Sequence, residues 1–447
     1  MTATMTTATA TLPEAVSATT VEQLSAAVGD TAFMAAARTE AFAAFERAPF
    51  PTRKDEQWRF TKLRGIELSE VPTFVGVEDL DAARERVASS LTAATDVAGE
   101  MLQVNCAAPD EFVRVSAGLP EGVVFSTLAA AARDHAELFE AHFGTVVPTG
   151  DTCDDTFVDL NGAALAGGAF LYVPRNTKVD LPFRADVVLT GGGAVNWRAL
   201  IVLEEGAEAT FVEEFLSTDN EFAGFSNAVV ELVAGANSRM HYVTVQDYAL
   251  PVRHFATHRV HAARDAQVEW SAVGLGASMG KSRMEAHLNG AGSNVKLTGA
   301  YFVDGTQQID YDTYQLHAAP NAQSDLAFKG VLRDKGHAVW RGMIAVAPGA
   351  QGTDAFQENR NLVLTSGAHA DSVPGLTIEA NDVRCTHAST TSKIDAEQLF
   401  YLQARGITKD EAVREIVRGF YNDVLERIGV EQVREQIRAA LWQRIER

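Results

Sequence analysis

A strand, a turn and a second strand follow one another in RALIVLEEGAEATFVEEF, the segment Arg198–Phe215. Branched and aromatic residues favour strands on both sides, and Gly206-Ala207 favours a turn between them. The alternation of apolar and polar residues is incomplete. The first strand is apolar without interruption around Leu200 and Val202, and Glu213 places a charge in the second strand. The segment nevertheless predicts a short unit of two strands joined by a tight turn.

This unit recurs at a nearly constant interval. Similar turns follow at Gly235-Ala236, Asp265-Ala266, Gly292-Ser293, Asn321-Ala322, Gly349-Ala350 and Gly367-Ala368, and the successive separations, counted from Gly206, are 29, 30, 27, 29, 28 and 18 residues. A regular period of this length predicts a β-solenoid, in which stacked coils supply the core that one unit cannot bury alone. A β-sandwich is the alternative, because it too has short strands and regular turns.

The repeat divides the chain into four parts. Residues 1–19 are rich in Thr and Ala and are expected to be disordered. Residues 20–150 form a helical and mixed region, residues 151–390 form the β core, and residues 391–447 form a helical region suited to docking a partner.

Three helical features are specific enough to test. Single helices are predicted over Thr20–Glu46 and over Thr127–Phe143 from their apolar spacing. Asp395 is expected to begin a short helix near the C-terminal end. Thr408 and Glu411 have the spacing of a capping box, in which each side chain receives the backbone N–H of the other residue.

Composition and charge exclude several classes of protein. The chain has 447 residues, of which 46% are hydrophobic and 22% are charged, and its net charge is −21. This acidic balance argues against binding to nucleic acid or to an anionic membrane. No apolar run approaches the roughly 20 residues of a membrane helix, and the first arginine is Arg38, so the start lacks the basic region of a signal peptide. We expect a cytoplasmic protein.

The cysteines point to a reducing compartment. Cys106, Cys153 and Cys385 are far apart, and no C-x-x-C motif occurs. This spacing argues against a disulfide framework, a structural zinc site and a four-cysteine cluster site within one chain.

Cys385 and His387 are the strongest candidates for metal ligands. They are two residues apart on a predicted strand at the end of the repeat, so both side chains face the same side. A thiolate and an imidazole can bind the same ion. Two ligands make half of a site, and the remaining ligands would have to come from elsewhere.

Other motifs have simpler explanations. GLGASMGKS, at residues 274–282, resembles a phosphate-binding loop, but Leu275 replaces the required glycine and the following residues alternate as in a strand. His254 and His258 share one face of a strand while His261 faces away, so the three are interpreted as packing or surface histidines. His369 and Asp371 share a face and are interpreted as a hydrogen-bonded pair. Trp58 is expected to hold an N-terminal segment to the core.

Three long segments resemble a known family. PTRKDEQWRFTKL (51–63), SDLAFKGVLRDKGHAVWRGMIAVAPGAQGTDAFQENRNLVL (324–364) and ADSVPGLTIEANDVRCTHAST (370–390) are similar to the SufD subunit of the Suf iron–sulfur cluster assembly scaffold, within the SufB/SufD family. The resemblance implies a right-handed parallel β-helix between N-terminal and C-terminal helices. It also implies pairing with a SufB-like paralogue and docking of a SufC-like ABC ATPase on the C-terminal region.

The same resemblance gives a role to the C-x-H motif. In that family the histidine, here His387, lies at the interface of the scaffold pair, faces a SufB cysteine and is implicated in forming the nascent cluster. The implied cofactor is therefore a transient iron–sulfur cluster or iron ion held at the interface by His387, with Cys385 second. Flavin binding is left open.

One segment departs from the SufD pattern. After the C-x-H motif, Thr390–Ile394 reads TTSKI, which is similar to SufB. Pairing with a separate SufB-like subunit and self-pairing therefore both remain open. We expect a non-catalytic scaffold subunit, and the alternative is a β-solenoid enzyme that acts on a polysaccharide.

Overall fold

The computed structural model describes residues 16–61, 63, 74–91, 93, 96–150, 152, 154–219 and 223–446. Most of the segment expected to be disordered lies outside these residues, and so does Cys153. Of the described cysteines, Cys106 and Cys385 are free thiols.

The N-terminal region contains helices and three short strands. In chain order these elements are α1 (Ala18–Val28), α2 (Ala32–Arg47), a 3-10 turn (Glu56–Trp58), α3 (Leu80–Ala88), β1 (Gly99–Val104), a second 3-10 turn (Asp110–Phe112), β2 (Val113–Val115), β3 (Val124–Thr127), α4 (Leu128–Asp134), α5 (Ala136–His142) and α6 (Thr156–Ala164).

Strands follow without interruption by helices, and three helices end the chain. The strands are β4 (Ala169–Val173), β5 (Phe183–Leu189), β6 (Ala194–Leu203), β7 (Glu208–Ser217), β8 (Gly224–Ala234), β9 (Arg239–Asp247), β10 (Val252–Ala262), β11 (Gln267–Gly274), β12 (Met279–Leu288), β13 (Asn294–Val303), β14 (Gln308–His317), β15 (Gln323–Leu332), β16 (His337–Val346), β17 (Thr353–Val363), β18 (His369–Ile378) and β19 (Val383–Lys393). The helices are α7 (Ala396–Ala404), α8 (Lys409–Leu425) and α9 (Glu431–Glu446).

Alternate strands form two facing sheets. Sheet I has the order β19-β17-β15-β13-β11-β9-β7-β5-β1-β2, and sheet II has the order β18-β16-β14-β12-β10-β8-β6-β4-β3. From β4 onward each strand pairs in parallel with the strand two places along the chain. The predicted parallel β-solenoid with helices at both ends is confirmed, and the β-sandwich alternative is wrong.

One corner of the solenoid explains the sequence repeat. Its turns hold residues with left-handed backbone conformation, all of them glycine, asparagine or aspartate: Gly206, Asn237, Asp265, Gly292, Asn321 and Gly352. These residue types tolerate a positive φ at least cost. Each donates its N–H to a carbonyl of the next coil, as Gly292 does to Pro320 at 3.2 Å. The last predicted turn, Gly367-Ala368, lies at the opposite corner between β17 and β18, which is why the last separation is only 18 residues.

Two predicted helices are each divided. Gly29 ends α1 with φ 70°, and Thr31 then caps α2, so the single helix expected over residues 20–46 is wrong. His135 separates α4 from α5 in the same way. The capping box of Thr408 and Glu411 is confirmed at the start of α8.

Helices cover the outer faces of both sheets. Phe139 of α5 packs with Leu200 and Val202 of β6, so β6 is buried on both faces and the alternation fails there. Helices α8 and α9 cover the outer face of sheet I through a cluster that includes Tyr421 and Leu441. Among the described residues, no helix is both long enough and apolar enough to cross a membrane.

Candidate functional site

The solenoid ends in two strands that have a neighbour on one side only. β18 is the outermost strand of sheet II and β19 is the outermost strand of sheet I. Most side chains of both strands are exposed or half-buried, whereas those of the preceding coils are mainly buried. We call this exposed last coil the open end. Unpaired backbone N–H and C=O groups on such strands are a template for pairing with another chain.

Cys385 and His387 lie on the open end, on the inner face of β19. In the pairing of β17 with β19, Cys385 stands beside Ala355 and His387 stands beside Gln357. Cys385 is half-buried and packs on a cluster formed by residues of β16 and β17, among them Ile344. His387 is exposed because no further coil covers it. The prediction that the two side chains share one face is confirmed by this register.

Polar residues fill the interior directly beneath the open end. Gln357 donates from Nε2 to the carbonyls of Gly342 and Gly375, each at 3.2 Å. Asn359 receives hydrogen bonds from Asn361 at 2.7 Å and from Ser372 at 2.9 Å. These amides hold the last coils together by side-chain hydrogen bonds rather than by apolar packing alone.

Two polar atoms in this interior, Gln357 Oε1 and Trp340 Nε1, lack a partner among the described residues. Gln357 Oε1 is buried and has no hydrogen-bond partner among the described residues. Gln357 stands next to His387 in the strand register. A buried acceptor without a protein donor is costly unless water or another group supplies one.

The thiol of Cys385 is harder to ionise than a free thiol. Burial and the Asp354 carboxylate both raise the pKa of its thiol above the usual value. Only the thiolate binds metal well, so binding would have to displace the proton. Among the described residues, no third His, Cys, Asp or Glu completes a cluster with Cys385 and His387. The pair can therefore supply two ligands and leaves the other positions to a partner.

The remaining histidine motif belongs to the core. His254 and His258 lie inside the solenoid, where burial lowers the pKa of each to about 3. His261 faces outward and stacks on His287 with ring centroids 5.3 Å apart. The prediction that His261 faces away from the other two is confirmed.

The resemblance to a phosphate-binding loop has no structural counterpart. Residues 275–278 form the connection between β11 and β12, and the lysine of the motif lies in β12 rather than at the start of a helix. That lysine, Lys281, is buried, donates to the carbonyl of Gln57 at 2.7 Å and pairs with Asp310 at 3.2 Å. It stabilises the N-terminal segment instead of a phosphate.

Trp58 holds the same N-terminal segment to sheet II, as predicted. Its ring is buried and stacks on Phe157 at 5.3 Å between centroids. Its Nε1 donates to Asp154 at 3.0 Å, and Lys281 Nζ lies 4.9 Å from the ring centroid. The aromatic residue therefore has a structural role.

Helix α7 is the most exposed element of the C-terminal region. It has no buried residue, and Phe400 and Tyr401 are 72% and 56% exposed. Asp395 caps its first turn by accepting the N–H of Glu397 at 2.8 Å. Exposed aromatic residues side by side on a capped helix are typical of a protein contact surface.

The predicted hydrogen bond between His369 and Asp371 is wrong, because Asp371 has a different partner. Asp371 accepts a hydrogen bond not from His369 but from His337 of the preceding coil, with Nε2 and Oδ2 2.8 Å apart. His369 stacks on the same imidazole, with ring centroids 4.0 Å apart. His337 was missed because it lies one coil earlier, and only the coil register brings it beside β18.

Comparison with known proteins gives one family over most of the chain. The SufBD core domain of SUF system FeS cluster assembly matches residues 187–420, and the SufBD protein N-terminal region matches residues 20–185. These ranges contain the solenoid, the open end and α7.

Curated relatives from several bacteria carry the same description. An iron–sulfur cluster assembly SufBD family protein of Mycobacterium bovis is 33% identical over 418 residues, which are 91% of this chain and 93% of that protein. A SufBD family protein of Staphylococcus saprophyticus is 30% identical over 319 residues, which are 71% and 68% of the two chains. These matches do not support the alternative of an enzyme acting on a polysaccharide. Because the family domains and the full-length relatives agree, the chain belongs to the SufBD family of iron–sulfur cluster assembly proteins.

Proposed function

We propose that this chain is a non-catalytic, cytoplasmic scaffold subunit of the SufD type, on which iron–sulfur clusters form at an interface with a SufB-like subunit. The observation that carries the proposal is the position of Cys385 and His387 on the inner face of the exposed last coil. A partner that extends the solenoid at this end brings its own side chains against this pair.

The chemistry of the two side chains suits iron as cargo. Imidazole nitrogen and thiolate sulfur both bind iron, and clusters accept histidine in place of cysteine. His387 is the first ligand to engage because it is exposed. Cys385 follows once a bound cation displaces the proton that burial and Asp354 hold on its sulfur.

The open end also suits a partner of the same fold. Two exposed edge strands, β18 and β19, can each pair with a strand of a second solenoid. A SufB-like paralogue presents such strands by virtue of the shared fold, and a second copy of this chain would do so too.

Helix α7 is the proposed dock for a SufC-like ABC ATPase. Helix α7 directly follows β19 in the chain and contacts α8, which is packed with α9 on sheet I, so a movement of the docked ATPase acts directly on the scaffold. ATP hydrolysis would then switch the interface between two arrangements that open and close the cluster site.

The test is replacement of the proposed first ligand in cells that lack the native copy. His387→Ala removes an exposed imidazole, so folding and recovery of the SufB-like partner should persist while the activity of iron–sulfur enzymes falls to that of the deletion strain. Cys385→Ser should give an intermediate loss. Thermal unfolding and affinity purification are measured beside enzyme activity.

His241→Ala is the matched control, since His241 is a partly exposed histidine beside a carboxylate on another part of the solenoid. It should leave enzyme activity unchanged. Full activity of the His387→Ala strain would contradict the proposed site, and loss of the partner in that variant would make the residue structural.

A further inference from the structure

A second group of metal-ligand side chains lies on the outer face of sheet II. His337 begins β16, and His369 and Asp371 stand on β18. His337 is directly beside His369 in the strand register, and Asp371 lies two residues after His369 on β18. All three side chains therefore point outward from sheet II, whereas Cys385 and His387 lie on the inner face of sheet I.

The ligand atoms of this group are already close together. One ligand atom from each residue lies within 4.8 Å of the others, and no other group of three or more such residues was found among the described residues. His337 Nε2 and Asp371 Oδ2 are 2.8 Å apart. Metal–ligand bonds of about 2.0–2.2 Å at tetrahedral angles place two ligand atoms about 3.4 Å apart, so an ion that replaces the shared proton needs only a small widening of this contact.

The surroundings hold one ligand and leave access to the others. His337 is 6% exposed, and its Nδ1 accepts a hydrogen bond from Nε2 of Gln308 at 3.3 Å, so the ring is held with its protonated Nε2 towards Asp371. Asp371 has 38% of its side chain exposed, and His369 is exposed. A fixed ligand at the base and two accessible ligands above it give an ion an entry path from solvent.

We propose that His337, His369 and Asp371 bind one divalent transition-metal ion. Two imidazoles and one carboxylate suit Zn²⁺, Fe²⁺ and related ions, whereas Mg²⁺ and Ca²⁺ require mainly oxygen ligands. The ion replaces the proton between His337 Nε2 and Asp371; the neutral ring then carries its proton on Nδ1, and the Gln308 amide turns away from it. His369 moves from its stacked position to point a ring nitrogen at the ion, and solvent fills the remaining positions. The inference is independent of the proposed scaffold function, because it uses another sheet and another face.

Other histidine–carboxylate contacts on the surface lack the third ligand. His241 lies 3.3 Å from Glu269, and His287 lies 3.4 Å from Glu285, but neither contact belongs to a group of three close ligand atoms among the described residues. His241 and Glu269 therefore provide a control pair without the second imidazole.

The test measures metal binding to the full-length chain after treatment with a chelator. The background carries Cys385→Ser and His387→Ala, so that the open end cannot contribute. Equilibrium dialysis with Zn²⁺, and with Fe²⁺ without oxygen, should give one ion per chain in this background. Co²⁺ should give visible absorption whose intensity reports its coordination.

Single replacements then identify the ligands. His369→Ala or Asp371→Asn, each added to the background, should weaken Zn²⁺ binding by about 100-fold. Both side chains are accessible, so circular dichroism and metal-free unfolding midpoints should be unchanged. His241→Ala should bind as the background does, and Zn²⁺ should raise the unfolding midpoint of every protein except the two ligand variants.

Two results would overturn the proposal. One is the absence of a stoichiometric Zn²⁺ or Fe²⁺ site in the background protein. The other is a site that persists with the same affinity in His369→Ala and in Asp371→Asn, since the ion would then be bound elsewhere.

Discussion

Glu213 is a carboxylic acid enclosed in the interior of the solenoid. Trp197 donates to one of its oxygens at 2.9 Å, and Tyr242 donates to the other. His258 Nε2 lies 3.8 Å away. Burial raises the pKa of Glu213 to about 7, although the hydrogen bonds from Tyr242 and Trp197 oppose this rise. The folded chain therefore holds a proton here at pH values where the unfolded chain has lost it.

This proton makes stability depend on pH in a defined direction. Because the folded pKa lies above the unfolded value near 4.5, the stabilising contribution is complete below pH 4.5 and is lost as the pH rises to about 7. Glu213→Gln removes the titration. The difference in the free energy of unfolding, variant minus wild type, should therefore rise by up to about 3 kcal/mol from pH 5 to pH 8.

Urea unfolding at the two pH values measures this difference. The buried histidines are common to both proteins and cancel in the comparison. Glu140→Gln, on the exposed side of α5, is the control. It should change the free energy of unfolding by the same amount at both pH values. An equal effect of Glu213→Gln at pH 5 and pH 8 would show that the buried carboxylic acid does not titrate as described.

At the scale of single elements, the sequence predicts where turns lie better than it predicts whether a helix is continuous. The left-handed turns were visible because only a few residue types tolerate that conformation, and Gly292 and Asn321 are examples. The apolar spacing of residues 20–46 did not reveal that Gly29 divides the helix, because two helices packed on one surface have the same period as one. Periodicity records which face is buried and not where the backbone turns.

Helix α7 provides the prediction at this scale. Phe400→Ser combined with Tyr401→Ser should abolish co-purification of the SufC-like ATPase, because the pair removes the exposed apolar surface of the helix. The unfolding midpoint should stay within about 2 °C of wild type, since α7 buries none of its residues.

Truncation before Thr408 is a poorer experiment for the same question. It removes α8 and α9, whose residues Tyr421 and Leu441 are fully buried against sheet I, so it would expose apolar surface of the solenoid. Leu250→Ser, at an exposed turn, is the matched control for loss of surface apolar area. Undiminished recovery of the ATPase with the α7 double variant would place the dock elsewhere.

At the scale of the whole molecule, the two ends of the solenoid differ. At the N-terminal end the outermost strands are short and antiparallel, where β2 pairs with β1 and β3 pairs with β4, and short edge strands disfavour pairing with another chain. The other end exposes the inner face of its last coil, including Leu376 and Ile378 at 37% and 41% exposure. An inner face that meets solvent is a surface left for another coil to cover.

Leu376→Lys tests that interpretation. A charged side chain on the inner face of the last coil should prevent a partner solenoid from stacking there, because burying an unpaired charge is unfavourable. Recovery of the SufB-like subunit, and any dimer of this chain seen by sedimentation velocity, should fall at least tenfold. Leu181→Lys, at a leucine that is 45% exposed but far from the open end in sequence, should have no effect. Unchanged pairing of Leu376→Lys would exclude the open end as the interface.

The candidate sites differ in how far the sequence could reveal them. Cys385 and His387 are neighbours on one strand, so period-two alternation was enough to place them on one face. The contact of His337 with Asp371 joins residues 34 positions apart on neighbouring coils. Predicting it requires the strand register, which depends on the length of every turn between the coils.

The short edge strands at the N-terminal end also set a limit on assembly. A solenoid with two bare ends could add molecules head to tail and grow into a fibre. A solenoid with one bare end can meet only one other, face to face across an exact or approximate two-fold axis, and the resulting pair has no free end. In the proposed scaffold, the short strands β2 and β3 thus favour a complex of two solenoids, whichever family member the second one is.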